Sequence, residues 1–230
     1  PHRRPAPHPP RPLLQRRPPP PRAGEHAALA PGREQGLPQA RVQAAEGALD
    51  AVPRLSLVSG PARSGKSEWA ERLALASGWA VTYIATARED PDDPEWTARI
   101  ERHRLRRPSS WLTVSAPLEL ESAIQNHDQT GRCLLVDSLG TWVSNLLECD
   151  DVEWEARVKQ LTRCLARARA CVILVAEETG WGVIPAYPLG RQFRDRLGAL
   201  VRHLGPRCAE TYLVTGGYAV ELGRIGVPID

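Results

Sequence analysis

The segment Gly60-Pro61-Ala62-Arg63-Ser64-Gly65-Lys66-Ser67 constrains this chain more than any other feature. Its G-x-x-x-x-G-K-S spacing follows an apolar run, Leu55-Ser56-Leu57-Val58-Ser59, and precedes a stretch of helical composition, Glu68 to Ala76. A glycine loop between strand and helix turns several backbone N–H groups toward one point, and the helix adds the positive end of its dipole. Phosphate is the ligand that such a loop suits. Lys66 is then placed to reach the β- and γ-phosphate oxygens, and the Ser67 hydroxyl to hold Mg2+. The chain has only two lysines, 66 and 159, against 28 arginines. A lysine in the loop therefore marks a position that needs a slim ammonium rather than a planar guanidinium fork.

Downstream the pattern keeps alternating. Strands are expected at 80–85, 134–137, 171–176 and 211–215, and helices at 94–107, 153–170 and 191–204. The strand runs are continuously apolar rather than alternating, as in Cys171-Val172-Ile173-Leu174-Val175-Ala176. Such strands belong in a parallel sheet covered on both faces, so the fold class is α/β, of the P-loop NTPase type, with a mostly parallel sheet and helices on both sides. A phosphate loop of this kind needs an acid at the end of a neighbouring apolar strand to serve Mg2+. Asp137, closing Leu134-Leu135-Val136, is the first candidate, and Glu177 and Glu178 are weaker ones.

The first 53 residues do not share this pattern. They hold 13 of the 22 prolines, eight arginines and no serine. Too little apolar surface is present there to offset ordering entropy, so residues 1–53 read as a disordered Pro/Arg-rich tail and 54–230 as the folded domain. The tail carries eight Arg against four acids, a net +4 within an overall +3, and leaves residues 54–230 near −1. The basic balance thus belongs to the tail, and the folded part is not read as a nucleic-acid binder. No run is long and apolar enough to span a bilayer, and none resembles a signal peptide. The five cysteines (133, 149, 164, 171 and 208) show neither C-x-x-C pairs nor metal spacing, and read as free thiols of a cytoplasmic protein.

Arg99-Ile100-Glu101-Arg102-His103-Arg104-Leu105-Arg106-Arg107 is the second informative cluster. On a helix, Arg99, His103, Arg106 and Arg107 share a face. Glu101 is the only acid within the run, so the face repels itself unless an anion covers it, and the surrounding positive charge favours a neutral, nucleophilic imidazole. From the residues alone two readings stand side by side: a phosphate-clamping nucleophile, or a solvated basic helix with an incidental histidine.

Taken together these stretches resemble the bifunctional adenosylcobinamide kinase/adenosylcobinamide-phosphate guanylyltransferase family of cobalamin biosynthesis. The resemblance covers roughly residues 55–218. It rests on the phosphate loop, on Tyr83-Ile84-Ala85-Thr86-Ala87, on Arg99-Ile100-x-x-His103-Arg104-x-x-Arg107-Pro108, and on Leu135-Val136-Asp137-Ser138-Leu139. It continues through Glu178-Thr179-Gly180-Trp181-Gly182-Val183-Ile184-Pro185 and Arg191-x-Phe193-Arg194-Asp195. It implies phosphorylation of the aminopropanol hydroxyl of adenosylcobinamide by ATP or GTP. Transfer of GMP from GTP through a guanylyl-histidine would follow. By the same matching, His103 is the guanylylated residue, with Lys66 and Asp137 also catalytic. Nucleotide contacts fall on Gly60, Pro61, Ala62, Arg63, Ser64, Gly65, Lys66 and Ser67, on Ala85, Thr86 and Ala87, on Arg104, Leu105, Arg106 and Arg107, and on Ser115 and Asp137. Ser67 and Asp137 serve the metal. The implied partners are a corrinoid and a nucleotide, and the implied assembly is a homotrimer. Departures stand at Ser115, where the family has Glu, at Glu177-Glu178, where it has Asn-Glu, and at Val201-Arg202, where it has Asn-Gln. Two other readings remain: a P-loop kinase of a different small metabolite, and a nucleotide-binding regulatory protein docking through its tail.

Overall fold

The structure, a computed structural model, describes residues 54–88 and 92–229; the tail assigned to 1–53 lies outside them. Seven strands among these residues make one sheet: β1 (Leu55–Gly60), β2 (Ala80–Ala85), β3 (Leu112–Ser115), β4 (Arg132–Asp137), β5 (Cys171–Glu177), β6 (Glu210–Thr215) and β7 (Tyr218–Glu221). Their spatial order is β3-β2-β4-β5-β1-β6-β7. All neighbours pair in parallel except the β6–β7 hairpin, which turns on Gly216 and Gly217 at φ of 58° and 81°. Two adjacent positive φ values are what a two-residue turn demands, and glycine supplies them without strain. Among the described residues, six helices of more than one turn follow in chain order: α1 (Lys66–Ala76), α2 (Pro94–Arg106), α3 (Leu120–His127), α4 (Leu139–Asn145), α5 (Asp151–Arg167) and α6 (Pro188–Leu204).

The strands are apolar throughout because each of their faces has its own cover. Leu57, Ile84, Leu134, Val136, Val172 and Leu174 face one layer, with Leu120, Ile124, Trp142, Leu161 and Leu197 from α3 to α6. Val58, Val81, Tyr83, Leu135, Ile173 and Val175 face the other, against Ala70, Leu73 and Ala74 of α1. Each fully buried Leu or Ile there contributes about 1.5–3 kcal/mol relative to exposure. The α/β class and the parallel sheet are thus as the sequence pattern implies.

Several elements carry no sequence signal of their own. β3 is only four residues, largely exposed, on the sheet edge. α4 spans seven residues and includes a glycine and two β-branched side chains; a capping box between Ser138 and Thr141 starts it where periodicity does not. α2 ends at Arg106, two residues before Pro108, which cannot extend a helix into its own ring.

The strand order also revises where acids stand relative to the phosphate loop. β5, not β4, lies beside β1, so Gly60 pairs in register with Glu177. Asp137 ends the next strand out, opposite Ala85 and Val175. Both acids, and the loop, sit at the carboxyl edge of the parallel sheet, the edge at which open α/β sheets bind ligands.

Candidate active site

The phosphate loop is held by sterics as much as by hydrogen bonds. A Cβ on Gly60 would run into the backbone oxygen of Val214 in β6, so no side chain fits. Gly65 sits at φ 91° and Arg63 at φ 59°, which curls the loop before α1 begins at Lys66. Lys66 and Ser67 are 6% and 7% exposed, at the bottom of the loop rather than on its rim. The Lys66 ammonium lies 3.4 Å from the Pro61 carbonyl oxygen.

Two cavities open from this point. One, of about 100 Å3, is lined by Lys66, Ser67, Tyr83, Ala85, Ala87, Ile100, His103, Arg107, Asp137, Ser138, Thr141 and Glu177. The other, of about 540 Å3, is lined by Arg63, Ser64, Gly65, Lys66, Ser67, Glu68, Glu95, Arg102, His103 and Arg106. Lys66, Ser67 and His103 border both.

Asp137 anchors the smaller cavity. The Tyr83 hydroxyl donates to its Oδ2 at 2.9 Å, and His103 Nδ1 lies 3.9 Å from the same oxygen. Burial and the Asp137 carboxylate push the Tyr83 hydroxyl far above its ordinary range, so it stays a donor. Arg107 ties the end of α2 to the sheet: its guanidinium stacks 3.8 Å from the Tyr83 ring centre, while Nε donates to the His103 carbonyl at 2.9 Å. Nη1 reaches Thr113 Oγ1 of β3 at 3.3 Å. A stacked, forked contact of this kind suits arginine and not lysine.

The arginine face is less self-repelling than its sequence suggests, because the acids that balance it come from another helix. Arg106 forks onto Glu71 of α1 at 2.8 and 2.9 Å and also meets Glu68. Arg104 pairs with Glu101 at 2.7 Å on the solvent side. The side chain of Arg99 lies outside the described residues. His103 therefore sits beside a carboxylate, with two of the neighbouring arginines, Arg104 and Arg106, already paired to acids.

Glu177, a weaker candidate in the sequence, ends the strand next to β1 and lines the smaller cavity. Ser138 Oγ donates to its Oε1 at 2.8 Å, and its Oε2 is buried without a hydrogen-bond partner among the described residues. Burial pushes its carboxyl above the ordinary range, with Ser138 and Lys66 opposing the shift. It fits only because residue 140 is glycine: a Cβ there would lie 2.7 Å from the Glu177 Cδ and closer still to Oε2. The available signal was positional, an acid ending the strand next to β1, and it could be read only with the strand order known.

Of the other sequence-assigned residues, Ala85 and Ala87 line the smaller cavity and Arg106 and Arg107 border one cavity each. Thr86 is fully buried and structural in its contacts: its hydroxyl donates to the Ser138 carbonyl and accepts from the Ser138 N–H. Its own carbonyl accepts from Asn145. Arg104, Leu105 and Ser115 are exposed and border neither cavity.

One family and three proteins are similar to this chain. The profile of a family described as cobinamide kinase / cobinamide phosphate guanyltransferase matches residues 56–222. The bifunctional adenosylcobalamin biosynthesis protein CobP of Pseudomonas aeruginosa is 43% identical over 167 residues, covering 72% of this chain and 95% of that protein. The bifunctional adenosylcobalamin biosynthesis proteins CobU of Escherichia coli and of Salmonella typhimurium are 36% and 33% identical, each over 72% of this chain and 98% of theirs.

Proposed function

The chain belongs to the cobinamide kinase / cobinamide phosphate guanyltransferase family, and on that premise we propose that both of its reactions run from the phosphate loop, with His103 as the covalent carrier of GMP. It is an enzyme of cobalamin biosynthesis that takes a cobinamide and a nucleotide as substrates. One observation supports the residue assignment: Lys66, Ser67 and His103 border both cavities, which suits a triphosphate that runs from the loop toward the imidazole.

In the first reaction the corrinoid hydroxyl oxygen attacks the γ-phosphorus of ATP or GTP. The γ-phosphorus–oxygen bond breaks, a nucleoside diphosphate leaves, and the hydroxyl proton is lost. The loop N–H groups and Lys66 hold the charge that grows on the transferred group. In the second, an imidazole nitrogen of His103 attacks the α-phosphorus of GTP; the N–P bond forms as the bond to the β-phosphate oxygen breaks and pyrophosphate leaves. A phosphate oxygen of the phosphorylated corrinoid then attacks the same phosphorus. The N–P bond breaks, the lone pair returns to the ring, and a diphosphate-linked product departs.

The Ser67 hydroxyl and the carboxylates of Asp137 and Glu177 are hard oxygen donors of the kind Mg2+ takes together with nucleotide phosphates. Bound there, Mg2+ would neutralise phosphate charge. Among the described residues no cluster of three or more His, Cys, Asp or Glu side chains forms a metal site, and a cation sharing its shell with phosphates needs none. Exposed Trp181, Val183, Ile184 and Tyr187, on the loop that leaves β5, give an apolar surface that supports corrinoid docking and a homotrimeric assembly. No described helix is long and apolar enough to cross a membrane. The five cysteines are thiols rather than disulfides, which suits work in the cytoplasm.

GTP labelled in its α-phosphate tests the assignment. His103→Ala is expected to keep phosphorylating cobinamide but to acquire no label, while the wild-type label is acid-labile and alkali-stable, as a phosphoramidate is. Lys66→Ala is expected to lose phosphorylation by roughly 10²–10³ and to label weakly. Label on His103→Ala would place the nucleophile elsewhere.

A further inference from the structure

Tyr83 joins three parts of the site that the reaction needs to keep in register. Its ring carries the Arg107 guanidinium at 3.8 Å, and Arg107 Nε in turn holds the His103 carbonyl at 2.9 Å. Its hydroxyl, 2.9 Å from Asp137 Oδ2, can only donate there, because a carboxylate only accepts. That oxygen is the one 3.9 Å from His103 Nδ1. Tyr83 itself is 4% exposed, packed beneath α1 with Val81 and Leu135, so its position is set by the sheet rather than by the ligand. The sheet thus reaches the imidazole by two routes, one through the ring to the backbone of α2, one through the hydroxyl to the carboxylate beside the ring nitrogen.

We propose that Tyr83 is a positioning residue for guanylylation: its hydroxyl holds Asp137 Oδ2 on the Nδ1 side of His103, at 3.9 Å, so that a proton on Nδ1 faces a carboxylate and the Nε2 lone pair is the one offered to the α-phosphorus. This rests on His103 being the nucleophile. As Nε2 bonds to phosphorus and pyrophosphate leaves, the ring becomes cationic with its proton still on Nδ1, and Asp137 faces that charge. When the corrinoid phosphate takes the GMP, the Nε2–P bond breaks and the ring returns to the tautomer it began with. Without the hydroxyl, the carboxylate is free to turn, both ring nitrogens compete, and the ring spends less time in the productive orientation.

Tyr83→Phe isolates the hydroxyl, since the phenyl ring still fills the core and still underlies Arg107. The expected result is a first-order labelling rate at saturating GTP lowered by roughly 10- to 100-fold, the loss that follows removal of the partner behind a metal-bound histidine. Half-saturation by GTP should stay unchanged, and cobinamide phosphorylation should fall much less than labelling. Phosphorus NMR of the labelled protein should show one phosphoramidate, on Nε2, in the wild type and a mixture with the Nδ1 isomer in Tyr83→Phe. Wild-type labelling rate with Nε2 alone would overturn the proposal, as would a parallel loss of labelling, phosphorylation and melting temperature. Label on His103→Ala in the same assay would instead mean that the underlying nucleophile assignment is wrong, whatever Tyr83→Phe does.

Discussion

Glu121 shows how one buried charge can set a pH dependence for the whole fold. It is 1% exposed in the first turn of α3, and neither of its oxygens has a hydrogen-bond partner among the described residues. Arg157 of α5, at 3.8 Å, is its nearest counter-charge, and Arg157 also pairs with Glu119 and donates to the Leu118 carbonyl. Burial raises the Glu121 carboxyl above its ordinary range, more than Arg157 lowers it. A carboxyl whose folded pKa exceeds its unfolded one favours the folded state while protonated. That contribution is complete below the unfolded pKa, about 4.3, and is lost as pH rises through the folded value. Glu121→Gln mimics the protonated form at every pH. Its melting temperature should therefore lie above wild type at pH 7, with the gap closing as pH falls toward 4. A gap that is constant or widens on acidification would show that Arg157, not burial, governs this carboxylate. The same scale explains why the arginine run misleads when read alone: Glu68 and Glu71, which balance Arg106, are distant in sequence and adjacent only in space.

At the scale of elements, α4 is placed by what must lie beneath it. Its N-terminal turn stands over Glu177 of β5, and the two meet through the missing side chain of Gly140 and the Ser138 hydroxyl. Alanine at 140 would gain about 1 kcal/mol of helix propensity. It would also displace a carboxylate that can move only by leaving its Ser138 hydrogen bond, at a cost of about 1–3 kcal/mol for the overpacking. The second effect is expected to win, so Gly140→Ala should unfold at lower denaturant in a wild-type background. In a Glu177→Ala background the clash is gone and the same substitution should be neutral or stabilising, which a double-mutant cycle measures. Equal destabilisation in both backgrounds would mean that Gly140 is required for some reason other than Glu177.

For the whole molecule, we propose that residues 1–53 are dispensable to the folded unit. The family match spans 56–222, and the first strand begins at Leu55. Among the described residues, the apolar positions that build both core layers fall between Leu55 and Ala219. Removing residues 1–53 should therefore leave the melting temperature and both turnover rates near those of the full chain, as calorimetry and product analysis would show. A truncated protein that melts many degrees lower would assign the tail a place in the fold, and one that changes its sedimentation mass would make it an assembly arm.

The phosphate loop, the α/β class and most strand positions were legible in the chain because each is a local property: a glycine spacing, a run of apolar residues wide enough to be buried on both faces, a lysine among arginines. His103 and Asp137 were legible as candidates for the same reason, each standing in a short motif, although the residues alone left two roles open for the histidine. The order of strands was not. It follows from which faces pack together, and it alone put Glu177 beside Gly60 and moved Asp137 one strand further out. The partners of Arg106 on α1 and the chain from Tyr83 through Asp137 to His103 are likewise contacts across tens of residues, between side chains that no periodicity links. Local sequence specified which groups could do chemistry here; only the packing of the sheet decided which of them face one another.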